Sequence, residues 1–371
     1  MAGKSRTEYL TILTRWLTLP VLGVGAMGYW VWITLRNKAY DWGILQAHRL
    51  PVKVVSIGNL SVGGTGKTPT AEYLIRWAER NELKVAYLSR GYGRRTRGFM
   101  AVEGNHHTAR QVGDEALQVA SKFPNTPVGV CENRVQGVLQ LHSLYPDLQC
   151  VILDDAFQHR RIHRDLDLIL IDATRTPWDD YLLPLGRLRE PFTSYKRADL
   201  ILFNRVGVNE KLRFYKQKVK EVKTVVVNTH PVSLKPFNPL HSTIPVELAK
   251  GRVCVVFSGI GNPKQFQATL KAMGLQAYHT KAYPDHYRYR EASLQKLLRR
   301  YKRIIRKKDV QFLHSPILIT TEKDYTRLKT EPCIAEFADF PFYYVEIQMQ
   351  VTEGSERLEH LLYHQLIAPQ L

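Results

Sequence analysis

Short apolar runs alternate with stretches of helical period along most of this chain. Runs at Val52–Ile57, Lys84–Leu88, Pro127–Cys131, Cys150–Leu153, Leu168–Ile171 and Asp199–Phe203 predict buried strands. Between them, Thr70–Arg80, Glu115–Ser121 and Arg134–Leu144 place apolar residues at helical spacing. Strands alternating with helices predict a doubly wound, largely parallel sheet. The pattern breaks at Pro184–Pro191, a Pro/Gly/Arg segment that reads as a linker or hinge. A second α/β series follows, with strands at Thr224–Val227, Val253–Phe257, Ile317–Thr321 and Phe342–Ile347 and a helix at Lys264–Met273. The expected organisation is an N-terminal segment over 1–45, a first α/β domain over 46–195 and a smaller α/β lobe over 196–371, with a cleft between the lobes. No internal repeat or low-complexity tract interrupts it.

The first strand runs into Gly58-Asn59-Leu60-Ser61-Val62-Gly63-Gly64-Thr65-Gly66-Lys67-Thr68, and a helix pattern opens directly behind it. Strand, glycine-rich turn, Gly-Lys-Thr and helix make a P-loop. Its backbone N–H groups cradle phosphates, its lysine meets the β/γ-phosphates, and its threonine hydroxyl reaches Mg²⁺. Ser61 stands where the strict pattern has glycine. Glycine is needed only where φ is positive or a phosphate approaches closely, and Gly63, Gly64 and Gly66 can meet that need. A P-loop NTPase-like fold with ATP and Mg²⁺ as cofactors is therefore expected. The chemistry narrows to phosphoryl transfer or hydrolysis.

The apolar beginning adds a partner. From Trp16 to Leu35, 20 residues carry no formal charge. As a helix they extend roughly 30 Å, the thickness of a bilayer core. Trp16 at one end and Tyr29, Trp30 and Trp32 at the other suit the two interfaces. Pro20, Gly23, Gly25 and Gly28 weaken such a helix, so spanning and monotopic attachment both stay open, beside a plain buried helix. The net charge of +19 favours an anionic partner: nucleic acid, acidic lipid or a phosphorylated substrate. No nucleic-acid motif is present. Cys131, Cys150, Cys254 and Cys333 form no CxxC pair, which removes zinc and disulfide readings.

Several residues could carry chemistry. The strand at Val151–Leu153 ends in Asp154-Asp155, and a strand-end Asp in P-loop enzymes holds Mg²⁺ directly or through water. Gln158, His159, Arg160 and Arg161 follow at the carboxyl end of the sheet, where α/β ligands bind. Asp114 sits before a helix, and read alone it is a plain N-cap. His286 read alone is structural, although an acceptor hydroxyl often needs a carboxylate or imidazole to take its proton. Arg90 follows a strand and could meet phosphate or an anionic substrate, and Arg134 opens a helix near a strand end. Between Lys296 and Lys308 lie eight Lys/Arg, with Leu294, Leu297, Leu298, Tyr301, Ile304 and Ile305 at helical spacing. That is an amphipathic basic helix, packed on a core by its apolar stripe or set against anionic headgroups.

Together these blocks resemble the tetraacyldisaccharide 4′-kinase family of lipid A biosynthesis. The resemblance rests on Gly58-Asn59, Gly63 to Pro69, Ser89-Arg90-Gly91-Tyr92-Gly93, Gly113-Asp114-Glu115 and Leu153 to Arg160. Gly186 to Pro191, Ser258 to Pro263, Pro284-Asp285-His286 and Thr321-Glu322-Lys323-Asp324 extend it into the second lobe. It implies transfer of the ATP γ-phosphate to the 4′-hydroxyl of a tetraacylated glucosamine disaccharide 1-phosphate, at the cytoplasmic face of a Gram-negative-type inner membrane. It also implies Asp114 as base paired with His286, Asp154 or Asp155 on Mg²⁺ with Thr68, and nucleotide contacts from Gly63 to Thr68 and from Gln158. Arg90, Arg134, His159 and Arg189 become substrate contacts, and Arg189-Glu190 the hinge. Ala116 stands where the family tends to have Pro, and Tyr325-Thr326 where it tends to have Ala-Val.

Two other functions compete. The basic charge is compatible with a nucleic-acid-dependent P-loop ATPase. Asn204-Arg205-Val206-Gly207 superficially suggests a guanine-reading loop on a membrane switch, but it lacks both the Lys and the Asp that such a loop needs.

Overall fold

The computed structural model describes residues 6–206, 209–306, 316–331, 334, 337 and 339–368, with only the backbone for 6–19 and 209–210. In chain order the first elements are α1 (Arg6–Asp41), β1 (Lys53–Gly58), α2 (Lys67–Arg80), β2 (Val85–Ser89), β3 (Met100–Ala101), α3 (Ala109–Val112), α4 (Asp114–Lys122), β4 (Val128–Val130), α5 (Arg134–Leu144), β5 (Cys150–Asp154), β6 (Leu166–Asp172) and β7 (Leu200–Asn204). Then come α6 (Asn209–Lys218), β8 (Lys223–Pro236), β9 (Ile244–Pro245), α7 (Val246–Ala249), β10 (Val253–Ser258), α8 (Pro263–Ala272), β11 (Gln276–Ala282), α9 (Glu291–Ile305), β12 (Ile317–Thr321), α10 (Glu322–Leu328), β13 (Phe342–Glu353) and α11 (Ser355–Leu366). The protein is an α/β fold whose strands pair mostly in parallel.

Contacts divide the chain into two units, Met1–Thr65 with Asp155–Val227 and Thr352–Leu371, and Gly66–Asp154 with Asn228–Val351. This division is interleaved, so the sequential boundaries expected near 45 and 195 do not coincide with it. A parallel α/β sheet allows this, because each crossover can enter either unit.

In the first unit, β1, β6, β7 and the start of β8 pair in parallel, with Ile57 opposite Leu168 and Ile171 opposite Phe203. Their side chains form a core in which Leu60, Phe157, Ile169, Phe203 and Tyr215 are buried. Helix α1 covers part of this unit. At 1.5 Å per residue its 36 residues extend about 54 Å, and it continues through Pro20, longer than the apolar stretch alone predicts. Ala26, Ile33 and Asn37 form its buried face, while Val21, Val24, Met27, Trp32 and Leu35 are 57–74 % exposed. No helix among the described residues is long and apolar enough to cross a membrane. Glycines and threonines lower the hydropathy of the stretch. Trp16, expected at an interface, lies outside the described side chains.

In the second unit, β5, β2 and β4 are parallel and β3 closes their edge antiparallel. The same unit holds the parallel order β11-β10-β12-β13. Here the period of two is visible in the packing. Cys254, Val256, Ile317 and Ile319 face Phe266 and Leu270 of α8, whereas Val255, Phe257 and Leu318 face Leu294, Leu297, Leu298, Tyr301 and Ile304 of α9. The basic helix is thus seated on the core by its apolar stripe. Ile305 is the exception, being 40 % exposed. Lys307 and Lys308, counted in that basic run, lie outside the described residues, as does Cys333.

One ionic cluster braces this unit. Lys122 of α4 lies 2.8 Å from Glu72, 3.0 Å from Glu322 and 3.6 Å from Glu346. Burial raises the Glu322 carboxyl to about 7, with repulsion from Glu72 acting the same way and Lys122 opposing both. Removing the lysine would leave three carboxylates crowded together. Lys122→Met is expected to cost about 3 kcal/mol, read as a lowered midpoint in urea unfolding at neutral pH; an unchanged midpoint would show that the cluster contributes nothing.

Candidate active site

Beyond β1 the chain turns through Asn59–Gly66 into α2. Gly63 and Gly66 adopt φ of +121° and +104°, a region unfavourable for residues with a Cβ. Gly64 does not need that freedom. Ser61 is accommodated because it forms an antiparallel bridge with Leu188, and the Val62 N–H donates to Arg187 O at 2.9 Å. Gly66 caps α2 with no side chain across the helix end. Helix α2 thus begins at Lys67 without a side-chain cap on its first turn, the setting in which helix N–H groups can meet an anion. Thr70 ties the loop to the helix, its hydroxyl donating to Gly66 O at 2.9 Å.

The loop is held from outside by residues that the sequence alone presents only as a superficial base-reading loop. Asn204, fully buried at the end of β7, donates from Nδ2 to Thr65 O at 2.8 Å. Arg205 donates from Nη1 to Gly64 O at 3.1 Å and to Asp172 Oδ2 at 2.6 Å. The Asn204-Arg205 pair that superficially suggested base recognition is a brace for the phosphate loop. Its signal in the sequence is polar residues at the carboxyl ends of β6, which pairs with β1, and of β7, which pairs with β6.

Asp154 and Asp155 diverge. Asp154 is buried at the end of β5, where Tyr87 donates its hydroxyl to Oδ2 at 2.8 Å. Asp155 turns to φ +48° and receives Arg189 Nη1 on both oxygens, at 2.7 and 2.8 Å. Arg134, buried at the start of α5, donates to Cys131 O at 2.8 Å and to Asp154 O at 3.3 Å, so it fixes strand ends. Gln158 donates to Asn59 O at 3.0 Å and its own carbonyl accepts from Arg36 of α1 at 2.8 Å. His159 lies in the same turn, its N–H bonded to Ala156 O at 2.8 Å. Arg90 is exposed one residue beyond β2. Glu190, beside Arg189, is fully buried between Asn37 at 2.9 Å and Arg197 at 2.7 Å.

The second unit brings Asp114 and His286 together. Gly113, not Asp114, caps α4, and Asp114 is the first helical residue. The plain N-cap reading of Asp114 is thereby corrected. Its Oδ2 lies 2.9 Å from His286 Nδ1 and accepts Arg327 Nε at 2.7 Å. A carboxylate only accepts, so Nδ1 carries the proton and Nε2 is the ring nitrogen left to take one. The Tyr92 ring centroid lies 5.2 Å from that of His286. Burial acts to raise the Asp114 pKa, but the His286 hydrogen bond and the Arg327 charge overcome it and hold the carboxyl at about 2. The same hydrogen bond raises His286 above its ordinary value. Asp114 is thus charged at neutral pH although nearly buried. Arg327 was missed at the sequence level; its signal is the Asp324/Arg327 spacing of three on one helix face.

Among the described residues no group of three or more His, Cys, Asp or Glu is gathered as a metal cage. Asp154 and the Thr68 hydroxyl are hard oxygen donors, and Mg²⁺ commonly uses one or two protein oxygens plus phosphates and water. Asp155 is engaged by Arg189 instead.

The Asn204 brace makes a test that needs no ligand. Asn204→Ala leaves Thr65 O without that donor and should speed amide exchange from Gly63 to Thr68 by about tenfold. Unchanged exchange there would show that the brace is not what orders the loop.

Known proteins match this sequence and fold over nearly the whole chain. A family model described as Tetraacyldisaccharide-1-P 4'-kinase matches residues 17–367. The tetraacyldisaccharide 4'-kinase of Chlorobaculum parvum is 35% identical over 342 residues, covering 90% of this chain and 91% of the relative. That of Bacteroides thetaiotaomicron is 33% identical over 373 residues, covering 96% and 94%. A crystal structure of LpxK from Aquifex aeolicus in complex with ATP superposes with a TM-score of 0.72 at 30% identity, covering 94% of this chain and 99% of that one. A match of this extent, falling on a chain with a glycine-built phosphate loop, places the protein in the tetraacyldisaccharide-1-P 4'-kinase family.

Proposed function

We propose that this chain transfers the γ-phosphate of ATP to the 4′-hydroxyl of a tetraacylated glucosamine disaccharide 1-phosphate, the lipid IVA-forming step of lipid A synthesis. The observation that carries the reading is the 2.9 Å contact between Asp114 and His286. A sugar hydroxyl is a poor nucleophile at neutral pH, and transfer to it needs a group to accept its proton. The pair accepts that proton as a unit, with Asp114 keeping the imidazole oriented and its tautomer fixed. The amides from Gly63 to Thr68 cradle the triphosphate, and Lys67 neutralises charge on the β- and γ-phosphates. Gln158 acts on the nucleotide side by holding Asn59 at the entry to the loop. Mg²⁺, when bound, would neutralise phosphate charge. Thr68 and Asp154 are the residues fitted to hold it, because Arg189 already occupies both oxygens of Asp155. Arg90, Arg134, His159 and Arg189 remain the proposed contacts for substrate phosphate and headgroup.

The acceptor is a lipid, and α1 supports monotopic attachment to the cytoplasmic face of the inner membrane. Its exposed face at Val21, Val24, Met27, Trp32 and Leu35 is apolar, while Arg36 and Lys38 add positive charge at its end. This reading accounts for the apolar segment, which a nucleic-acid-dependent ATPase leaves unexplained.

Incubation of the full chain with detergent, Mg-ATP and the disaccharide 1-phosphate lipid should give a lipid heavier by one phosphate, located at the 4′ position by tandem mass spectrometry. ADP release without lipid phosphorylation would contradict the proposal. For attachment, Val24→Glu combined with Leu35→Glu should abolish flotation with vesicles containing phosphatidylglycerol while cooperative thermal unfolding persists; undiminished flotation would exclude this face.

A further inference from the structure

Asp114 and His286 do not hold each other unaided. Arg327 of α10 reaches Asp114 Oδ2 with Nε at 2.7 Å and with Nη2 at 2.5 Å. Its Nη1 donates to Gly259 O at 2.6 Å and to Asp324 Oδ1 at 3.0 Å. Gly259 O also accepts the backbone N–H of His286, at 3.1 Å. One guanidinium therefore fixes His286 from both ends, its main chain through Gly259 O and its ring through Asp114. That grip matters because His286 has φ +54°, a conformation that a residue with a side chain holds only when its surroundings impose it.

The anchor behind Arg327 is complete. Asp324 is fully buried and accepts from Tyr289 Oη at 2.9 Å, Thr321 Oγ1 at 2.6 Å and Gly259 N at 3.1 Å. The Arg327 side chain is only 7 % exposed, so its charge is poorly screened by water.

We propose that Arg327 is the positioning residue of the proton-accepting pair: it grips Asp114 and aims the His286 imidazole, without touching the substrate itself. The proposal rests on the kinase reading above. In that reaction the acceptor hydroxyl oxygen forms a bond to the γ-phosphorus. The bond from that phosphorus to the β,γ-bridging oxygen breaks, and ADP leaves with the electron pair. The hydroxyl proton passes to the Asp114–His286 pair. With Arg327 in place Asp114 remains an anion throughout and stabilises the imidazolium that forms. Without it, Asp114 gains protons at higher pH and the ring loses its brace. The other charged or titratable groups facing the pair are Lys323 and Asp324 of α10, Glu115 of α4, Asp285 and Tyr92. Lys323 is paired with Glu115 at 2.7 Å, and Asp285 Oδ1 stands 3.9 Å from His286 Nε2.

The test compares kcat against pH for the full-length wild type, Arg327→Gln and Arg327→Lys, with ATP affinity and thermal unfolding measured on each. Arg327→Gln should lower kcat by about thirtyfold and move the acid limb of the profile up by about one pH unit, with ATP affinity unchanged. The sign follows because Arg327 lowers the pKa of both Asp114 and His286. Arg327→Lys keeps a cation but cannot grip Asp114 and Gly259 O together. It should return the limb to within half a pH unit of wild type, with kcat still reduced by about fivefold. Should Arg327→Gln fail to fold, the Lys variant decides alone: a limb displaced by a full unit overturns the inference. So does Arg327→Gln with kcat within threefold of wild type, or with an unmoved limb. A wild-type chain that phosphorylates no lipid overturns the kinase reading instead, so the two failures are distinguishable.

Discussion

A carboxylate kept ionised in a nearly closed place is the constraint on which the functional reading depends. Burial by itself would push Asp114 toward its neutral form, and a neutral Asp114 could neither fix the His286 tautomer nor stabilise a charged imidazole. The structure answers with His286 on one side, Arg327 on the other and the first turn of α4 beneath. Several residues of the second unit support that arrangement. Asp324 holds Arg327, Thr321 and Tyr289 hold Asp324, and Gly259 is bound by both Arg327 and His286.

The phosphate loop follows a different logic. It offers backbone N–H groups, which need no charge and no side chain, provided that the main chain is held in shape. Shape is supplied by Asn204 and Arg205, which grip loop carbonyls. In the proposed reading, Lys67 adds positive charge beside this loop. Under the proposed function, two chemical tasks, proton acceptance and phosphate binding, rest on two kinds of support: a charge network around Asp114 and a carbonyl brace around Gly64 and Thr65.

Much of the fold was legible because parallel strands buried on both faces read as apolar runs. All six strands expected in the first half are present, and α5 runs from Arg134 to Leu144 as expected. β11 was not legible, since it is an edge strand with three exposed residues at its start and the polar sequence Gln-Ala-Tyr-His-Thr-Lys-Ala. The interleaved units were not legible either, because strand pairing across long separations leaves no local signal. The phosphate loop was plain from spacing. Asp114 and His286 stand 172 residues apart, and only the resemblance to a family joined them before the structure did. Arg327 escaped, and Asn204 showed only as part of a superficial base-reading loop, because an arginine on a short helix and an asparagine at a strand end are common, and what makes them matter is the atom each one reaches.

The central claim is that the Asp114–His286 pair accepts the proton of a sugar hydroxyl during phosphoryl transfer. Its most direct test is the single-turnover rate of lipid phosphorylation by Asp114→Asn, measured with saturating Mg-ATP and compared with ATP affinity on the same protein. The account predicts a rate lower by about a hundredfold or more with ATP affinity unchanged. A rate within twofold of wild type would contradict it.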